Sequence, residues 1–346
     1  MIIAHSPNPT LESPSEASPT TPLLDVRDLQ ITFDLPQGPV PAVQGVTFSV
    51  AAGETLAIVG ESGSGKSVTA RAIMGLLPPK TARISGSVRF TGTELIGLSN
   101  KEMRKHRGNS VAIVFQDPMR SLNPTMRIGD QLVEAVRTHL PLSKAEARDR
   151  VIDLLQRVRI PSAEQRFGEF PHQLSGGMRQ RVMIAMALSC HPKLVIADEP
   201  TTALDVTTQA QIMELLAELQ AEFQMAVILI SHDMGLAATF TQKVAVMYSG
   251  RLVEQAGTAE LFHHVRMPYT KALLDSIPRM DHPSLVPLPV INGLPPDPRA
   301  TPHGCAFSPR CPFAREQCVE QRPPLVEGEP GHFWACWFPL SDLKGG

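Results

Sequence analysis

The chain has 346 residues, 42% of them apolar, with a net charge of −2; it is long enough for two or three domains and is neither wholly disordered nor a nucleic-acid binder driven by bulk charge. No apolar run approaches the ~20 residues of a membrane-spanning helix, and the first residues lack the basic start and apolar core of a signal peptide, which places the chain in the cytoplasm. Its 32 prolines are uneven, 8 in residues 1–41, 9 in 42–267 and 15 in 268–346, and four of its five cysteines fall in the last 42 residues.

Residues 1–22, "MIIAHSPNPTLESPSEASPTTP", read as a disordered tail. From Leu23 to about residue 262, short apolar runs alternate with amphipathic stretches. The runs at 46–50, 55–59, 111–115, 193–198 and 226–230 predict strands, and 66–77, 176–189 and 206–223 predict helices. Such alternation favours an α/β fold with a largely parallel sheet, in which ligands bind just beyond the carboxyl ends of the strands. The basic run at 101–107 reads as a solvated face.

Directly after the 55–59 run stands Gly60-Glu-Ser-Gly-Ser-Gly-Lys66-Ser67, the pattern of a phosphate-binding loop. Gly60, Ser62, Gly63, Ser64 and Gly65 allow the backbone to curl its N–H groups around phosphate, and the helix that opens through Val68 adds its positive end. Lys66 suits the β- and γ-phosphates of a nucleotide, and the Ser67 hydroxyl suits Mg²⁺. The run at 193–198 ends in Asp198 and Glu199, acids that point to opposite sides of a strand. Asp198 is assigned to Mg²⁺ and Glu199 to the attacking water.

Leu174-Ser175-Gly176-Gly177-Met178-Arg179-Gln180 opens the 176–189 helix. By itself it is a helix cap able to offer a hydroxyl and bare N–H groups to an anion. In this context it resembles the signature motif of the ATP-binding subunits of ABC transporters, with Met178 where many members have glutamine. The resemblance implies a P-loop NTPase of ABC type with a helical subdomain at about 117–190. It makes Gln116 the Q-loop glutamine beside Mg²⁺, His232 the switch histidine, Asp205 the D-loop acid of a dimer interface, and Phe33 the aromatic that stacks on adenine. It further implies that two such chains pair head to tail, each ATP lying between the phosphate loop of one and Ser175-Gly176-Gly177 of the other. Segment 117–127 is then where the membrane subunits touch the ATPase.

The stretch 263–346, with "MPYTKALLDSIP", "INGLPPDP", "GCAFSPRCPFAREQC" and "HFWAC", resembles the C-terminal extension of dipeptide and oligopeptide ABC importers, shared in part by nickel and glutathione importers. The implied protein is the first of two ATPase subunits. It would work at the cytoplasmic face of the inner membrane with a second ATPase, two permeases and a solute-binding protein, and with no nucleic acid as partner. An ABC ATPase acting on DNA or ribosomes is the rival, but neither repeated motifs nor sustained heptads are present. Cys305, Cys311, Cys318 and Cys336 have a spacing unlike zinc-finger pairs. Four thiolates could hold either an iron–sulfur cluster or Zn²⁺; the related importers imply a [4Fe-4S] cluster. Cys190 reads as a core residue.

Overall fold

The apolar runs become the strands of two sheets in the computed structural model, which describes residues 21–202, 204–277 and 291–343. All but the last two residues of the expected N-terminal tail lie outside the described part. The strands are β1 (Leu24–Leu35), β2 (Gly38–Val50), β3 (Thr55–Val59), β4 (Ala82–Phe90), β5 (Thr93–Glu94), β6 (Val111–Val114), β7 (Leu194–Asp198), β8 (Ala226–Ser231), β9 (Lys243–Tyr248), β10 (Arg251–Gly257), β11 (Val326–Glu329) and β12 (His332–Trp334). An antiparallel sheet runs β2-β1-β4-β5, and a larger one runs β11-β12-β10-β9-β3-β8-β7-β6.

Within the larger sheet β9-β3-β8-β7-β6 are parallel, with Leu56 opposite Ile228 and Lys243, and Val195 opposite Ala112 and Val227. β7 and β8 are buried along their whole length, as expected where both faces of a parallel sheet are covered. One face packs on the antiparallel sheet through Leu24, Ile31, Val46, Ile58, Phe90 and Ile230. The other carries the helical part, whose core joins Leu132, Val136, Val151, Leu155, Val182 and Ile184 to Val195, Ile212 and Leu229. Ser143 caps helix Lys144–Arg157 in a reciprocal box with Glu146, which satisfies two N–H groups that would otherwise lack partners.

Two sequence expectations are corrected here. The helix after the phosphate loop spans Lys66–Ile73 rather than 66–77, because Gly75 turns left-handed (φ +59°) and Leu76 N–H returns to the Arg71 carbonyl. In the basic run at 101–107, Lys101, Arg104 and Lys105 are exposed as expected, and Arg107 departs. Arg107 Nε donates to the Met74 carbonyl at 2.7 Å and its Nη2 to that of Gly75, so it satisfies acceptors at the end of that helix.

The C-terminal extension continues the larger sheet. Glu254 of β10 pairs with Trp334 of β12 and Gln255 with Phe333. The fully buried Glu254 carboxylate accepts from His332 Nε2 at 3.0 Å and from the N–H groups of Arg266 (2.6 Å) and Met267 (3.2 Å). A third core, around Tyr248, Tyr269, Phe307, Val244 and Leu261, also draws on both segments.

Candidate active site

The loop after β3 is shaped by positive backbone angles at Gly60 (φ +151°) and Gly65 (φ +103°). A Cβ at Gly65 would stand 2.5 Å from the Ala42 carbonyl, and one at Gly60 would stand 2.1 Å from that of Met247. Both positions need glycine for conformation and for close approach. Gly65→Ala is therefore expected to lower the thermal midpoint by roughly 5 °C or more and to abolish tight ATP binding in equilibrium titration; parental binding would show that the loop tolerates the side chain.

Lys66 is 4% exposed. Its Nζ donates to the carbonyls of Gly60 (2.7 Å) and Glu61 (2.9 Å), which hold the ammonium against the loop. Burial pushes its pKa down, opposed by the charges of Glu199, Asp198 and Glu61. Ser67 Oγ donates to Asp198 Oδ1 at 2.7 Å, so the hydroxyl and carboxylate assigned to Mg²⁺ do meet. Burial drives the Asp198 carboxyl above its usual range, against the Ser67 hydrogen bond and the charge of Arg71. A hydroxyl and a buried carboxylate brought together near a buried ammonium could hold a divalent cation, which would supply charge neutralisation to a phosphate.

Glu199 sits one residue beyond β7 with a left-handed backbone (φ +48°), an uncommon and strained state for a non-glycine residue. Three side chains converge on its carboxylate. Gln116 Nε2 donates to Oε2 at 2.7 Å and Thr202 Oγ1 to the same oxygen at 3.0 Å, while His232 Nδ1 lies 3.4 Å from Oε1. Glutamine, glutamate and histidine, predicted from three separate strand ends, are thus brought together next to the phosphate loop. Thr202 was missed by sequence reasoning, although it stands three residues from Glu199.

A cleft of about 250 Å³ lies over the loop, its lining including Gln116 and Glu199 as well as Val40, Pro41 and Ala42. Phe33, the residue expected to stack on adenine, is not among the residues that line it. It faces Val40 across the β1–β2 ladder and Ala82 across β1–β4, and packs on the core between the sheets. Apolar surface along the cleft comes from Val40 and Pro41 together with Pro295, Pro296 and Pro298 of the extension.

Residues 43–202 match the family model of the ABC transporter, and 253–318 match that of the oligopeptide/dipeptide transporter C-terminal region. The chain is 51% identical to the oligopeptide transport ATP-binding protein OppD of Escherichia coli K12 over 93% of its own length and 94% of that protein's. The chain belongs to the ABC transporter family. Its likeness to the Bacillus subtilis 168 OppD is 49%, covering 93% and 90% of the two chains. Among solved structures, the dimeric ATP-binding cassette MJ0796 in a post-hydrolysis state with ADP and Pi is 28% identical, with a TM-score of 0.61 over 68% of this chain and 98% of that one. The cassette cbiO1 of Clostridium perfringens, part of the cbiONQ transporter complex, is 32% identical with a TM-score of 0.59, covering 70% and 91%. This chain is an ATP-binding, ATP-hydrolysing transporter subunit.

The ABC signature lies outside the cleft of its own chain. Ser175 is exposed and caps helix Gly176–Leu188 by accepting from Met178 N–H at 3.3 Å. A Cβ at Gly177 would stand 2.8 Å from Thr208 Cγ2, and one at Gly176 would stand 3.4 Å from Leu204. Asp205 caps helix Val206–Phe223 through the N–H and hydroxyl of Thr208. Signature and D-loop therefore form one surface, apart from the phosphate loop.

The four tail cysteines of this transporter subunit line one small apolar cavity with Met267, Pro268, Phe307, Phe313, Trp337 and Phe338. Cys305 N–H donates to the Cys318 carbonyl at 2.7 Å, clasping two of the cysteine segments. Burial raises the thiols of Cys305 and Cys311 and pushes Cys336 up to about 12, with the other three thiols adding to the effect at Cys336. Among the described residues, no three of the Sγ atoms approach within 4.8 Å of one another. The sulfurs of one tetrahedral zinc would stand about 3.8 Å apart; an iron–sulfur core spreads its thiolates further, since the core stands between them.

Proposed function

We propose that this chain is the ATPase that drives import of di- and oligopeptides through a membrane permease. It acts as one half of a closed ATP-bound pair, a heterodimer with a second ATPase, fed by a solute-binding protein. The observation that carries the mechanism is the carboxylate of Glu199, held by Gln116, Thr202 and His232 beside the phosphate loop. Its chain neighbour Asp198 is committed to Ser67. ATP binding draws Lys66 off the Gly60 and Glu61 carbonyls onto the phosphates. Ser67, Asp198 and Gln116 would hold Mg²⁺, which when bound neutralises phosphate charge. Glu199 orients the attacking water and takes its proton, and His232 contacts the γ-phosphate. The separation of Ser175, Gly176 and Gly177 from the phosphate loop supports the pair, because a signature from another chain must complete each site.

The permease docks beside segment 117–127, where Met119 is 48% exposed. A groove of about 290 Å³ lined by Met74, Leu76, Phe115, Leu122 and Met186 lies next to it. No helix among the described residues is long and apolar enough to cross a membrane, which fits a peripheral subunit on the cytoplasmic face. In vesicles reconstituted with both permeases, both ATPases and the binding protein, labelled oligopeptide should accumulate with internal ATP and fail to do so with Ser175→Arg. ATP-dependent uptake of nickel or glutathione in place of peptide would overturn the cargo.

Cys305, Cys311, Cys318 and Cys336 are proposed as ligands of a structural [4Fe-4S] cluster. Their place around one cavity supports it, as does the fact that, among the described residues, no three of the sulfurs crowd within 4.8 Å of one another. Anaerobically purified protein is expected to be brown and to carry iron near four per chain, and Cys311→Ser to lose that iron together with the thermal stability of the extension. Colourless protein with one zinc per chain would overturn the assignment.

A further inference from the structure

The position after Gly60 is Glu61, an acid on the lip of the cleft that takes ATP, where a free carboxylate would repel a triphosphate. Arg310 holds that carboxylate. Its Nη1 lies 2.6 Å from Glu61 Oε2 and its Nη2 2.9 Å from Oε1, the two-pronged geometry that makes arginine–carboxylate pairs directional. The guanidinium also donates to Tyr248 Oη (3.2 Å) and to the carbonyls of Asn292 (3.0 Å) and Ile291 (3.3 Å). Its side chain is only 5% exposed. Main-chain N–H of Glu61 donates to the phenol of the fully buried Tyr269 at 2.9 Å. Side chain and backbone of this loop residue are thus both anchored in residues that follow β10, and Arg310 immediately precedes Cys311.

We propose that Arg310 is a positioning residue of the ATP site. Through Glu61 it fixes the first turn of the phosphate loop and cancels the charge there, so that ATP affinity depends on the seating of the C-terminal extension. The inference rests on the ATP-hydrolysing reading of the cleft and deepens it. A purely structural Arg310 would hold the extension on without entering the energetics of ATP.

Binding of ATP to the full-length chain, by titration of the parent, Arg310→Gln, Glu61→Gln and the double variant, separates these roles. Arg310→Gln is expected to weaken ATP binding by about tenfold or more, because Glu61 is then left charged and unpartnered. The double variant, with no charge left on either side, should lose less than Arg310→Gln alone. Iron content and the nucleotide-free thermal midpoint report whether the extension stays seated. Should Arg310→Gln dislodge it, Arg310→Lys, which keeps charge without the fork, is expected to cost ~threefold in affinity. Parental affinity in Arg310→Gln, or in a seated Arg310→Lys, overturns the inference, as does a double-variant loss equal to the sum of the single ones. A parent that binds no ATP overturns the reading of the cleft as well, so the two failures are distinguishable.

Discussion

Glu199→Gln is expected to slow ATP hydrolysis by about 10²–10⁴-fold, the range a positioned general base contributes, while leaving ATP binding intact. The amide retains the shape of the carboxylate, so Gln116 and Thr202 keep an acceptor for their hydrogen bonds, but it cannot take the proton of the attacking water. A site that binds and cannot hydrolyse should accumulate the closed pair with its partner ATPase. Steady-state phosphate release measures the first effect and size-exclusion chromatography with ATP the second. Turnover within a few-fold of the parent would move the base elsewhere. His232, more than half exposed and 3.4 Å from Oε1, is the residue to which such a result would point.

Asp198→Asn should cut Mg²⁺-dependent turnover by about 100-fold or more and yet make the nucleotide-free protein more stable. Burial is the largest cause of the raised Asp198 carboxyl, and the hydrogen bond from Ser67 with the charges of Arg71 and Lys66 does not cancel it. A raised folded pKa means that the folded state binds the proton more tightly than the unfolded chain. Stability from this group is therefore greatest at low pH and falls as pH rises from the usual carboxylate range through the folded value. Above that value the ionised carboxylate is a standing cost. Asparagine removes the charge but can still accept from Ser67, so the thermal midpoint of Asp198→Asn should exceed the parent's at pH 7.5 and converge with it in acid. Adding Mg·ATP should reverse the order, because ligand stabilises only the protein that holds it. A lower midpoint for Asp198→Asn at pH 7.5 without nucleotide would show that the ionised carboxylate, with Arg71 and Lys66, holds the fold together.

Elements of the site differ in how far they were readable in advance, and the reason is locality. The phosphate loop is eight contiguous residues whose chemistry follows from their order, and Asp198 and Glu199 end an apolar run whose shortness and β-branched residues mark it as a strand. That Phe33 packs on the core between the sheets and does not line the cleft was not readable, because a strand residue's neighbours depend on ladder register and on the second sheet, neither of which its own segment encodes. Arg310 was invisible as part of the site. It is 249 residues from Glu61, and within "SPRCP" it carries no periodicity or motif that points to a loop on β3. The extension looked like an appended module for a similar reason. β11 and β12 are four and three residues long, too short for alternation to announce a strand, and only the open edge of β10 gives them a place.

The uneven prolines and cysteines mark out the parts of this chain, and its contiguous motifs are sufficient to specify an ABC ATPase. Local chemistry of this kind, loops at strand ends and helix caps, is written in adjacent residues and survives without knowledge of packing. Tertiary structure alone decided that the proline-rich tail walls the ATP cleft, that its arginine neutralises an acid of the phosphate loop, and that its cysteines share one apolar cavity. Those are contacts between segments far apart in the chain, set by how three cores pack together, and no stretch of sequence carries them by itself.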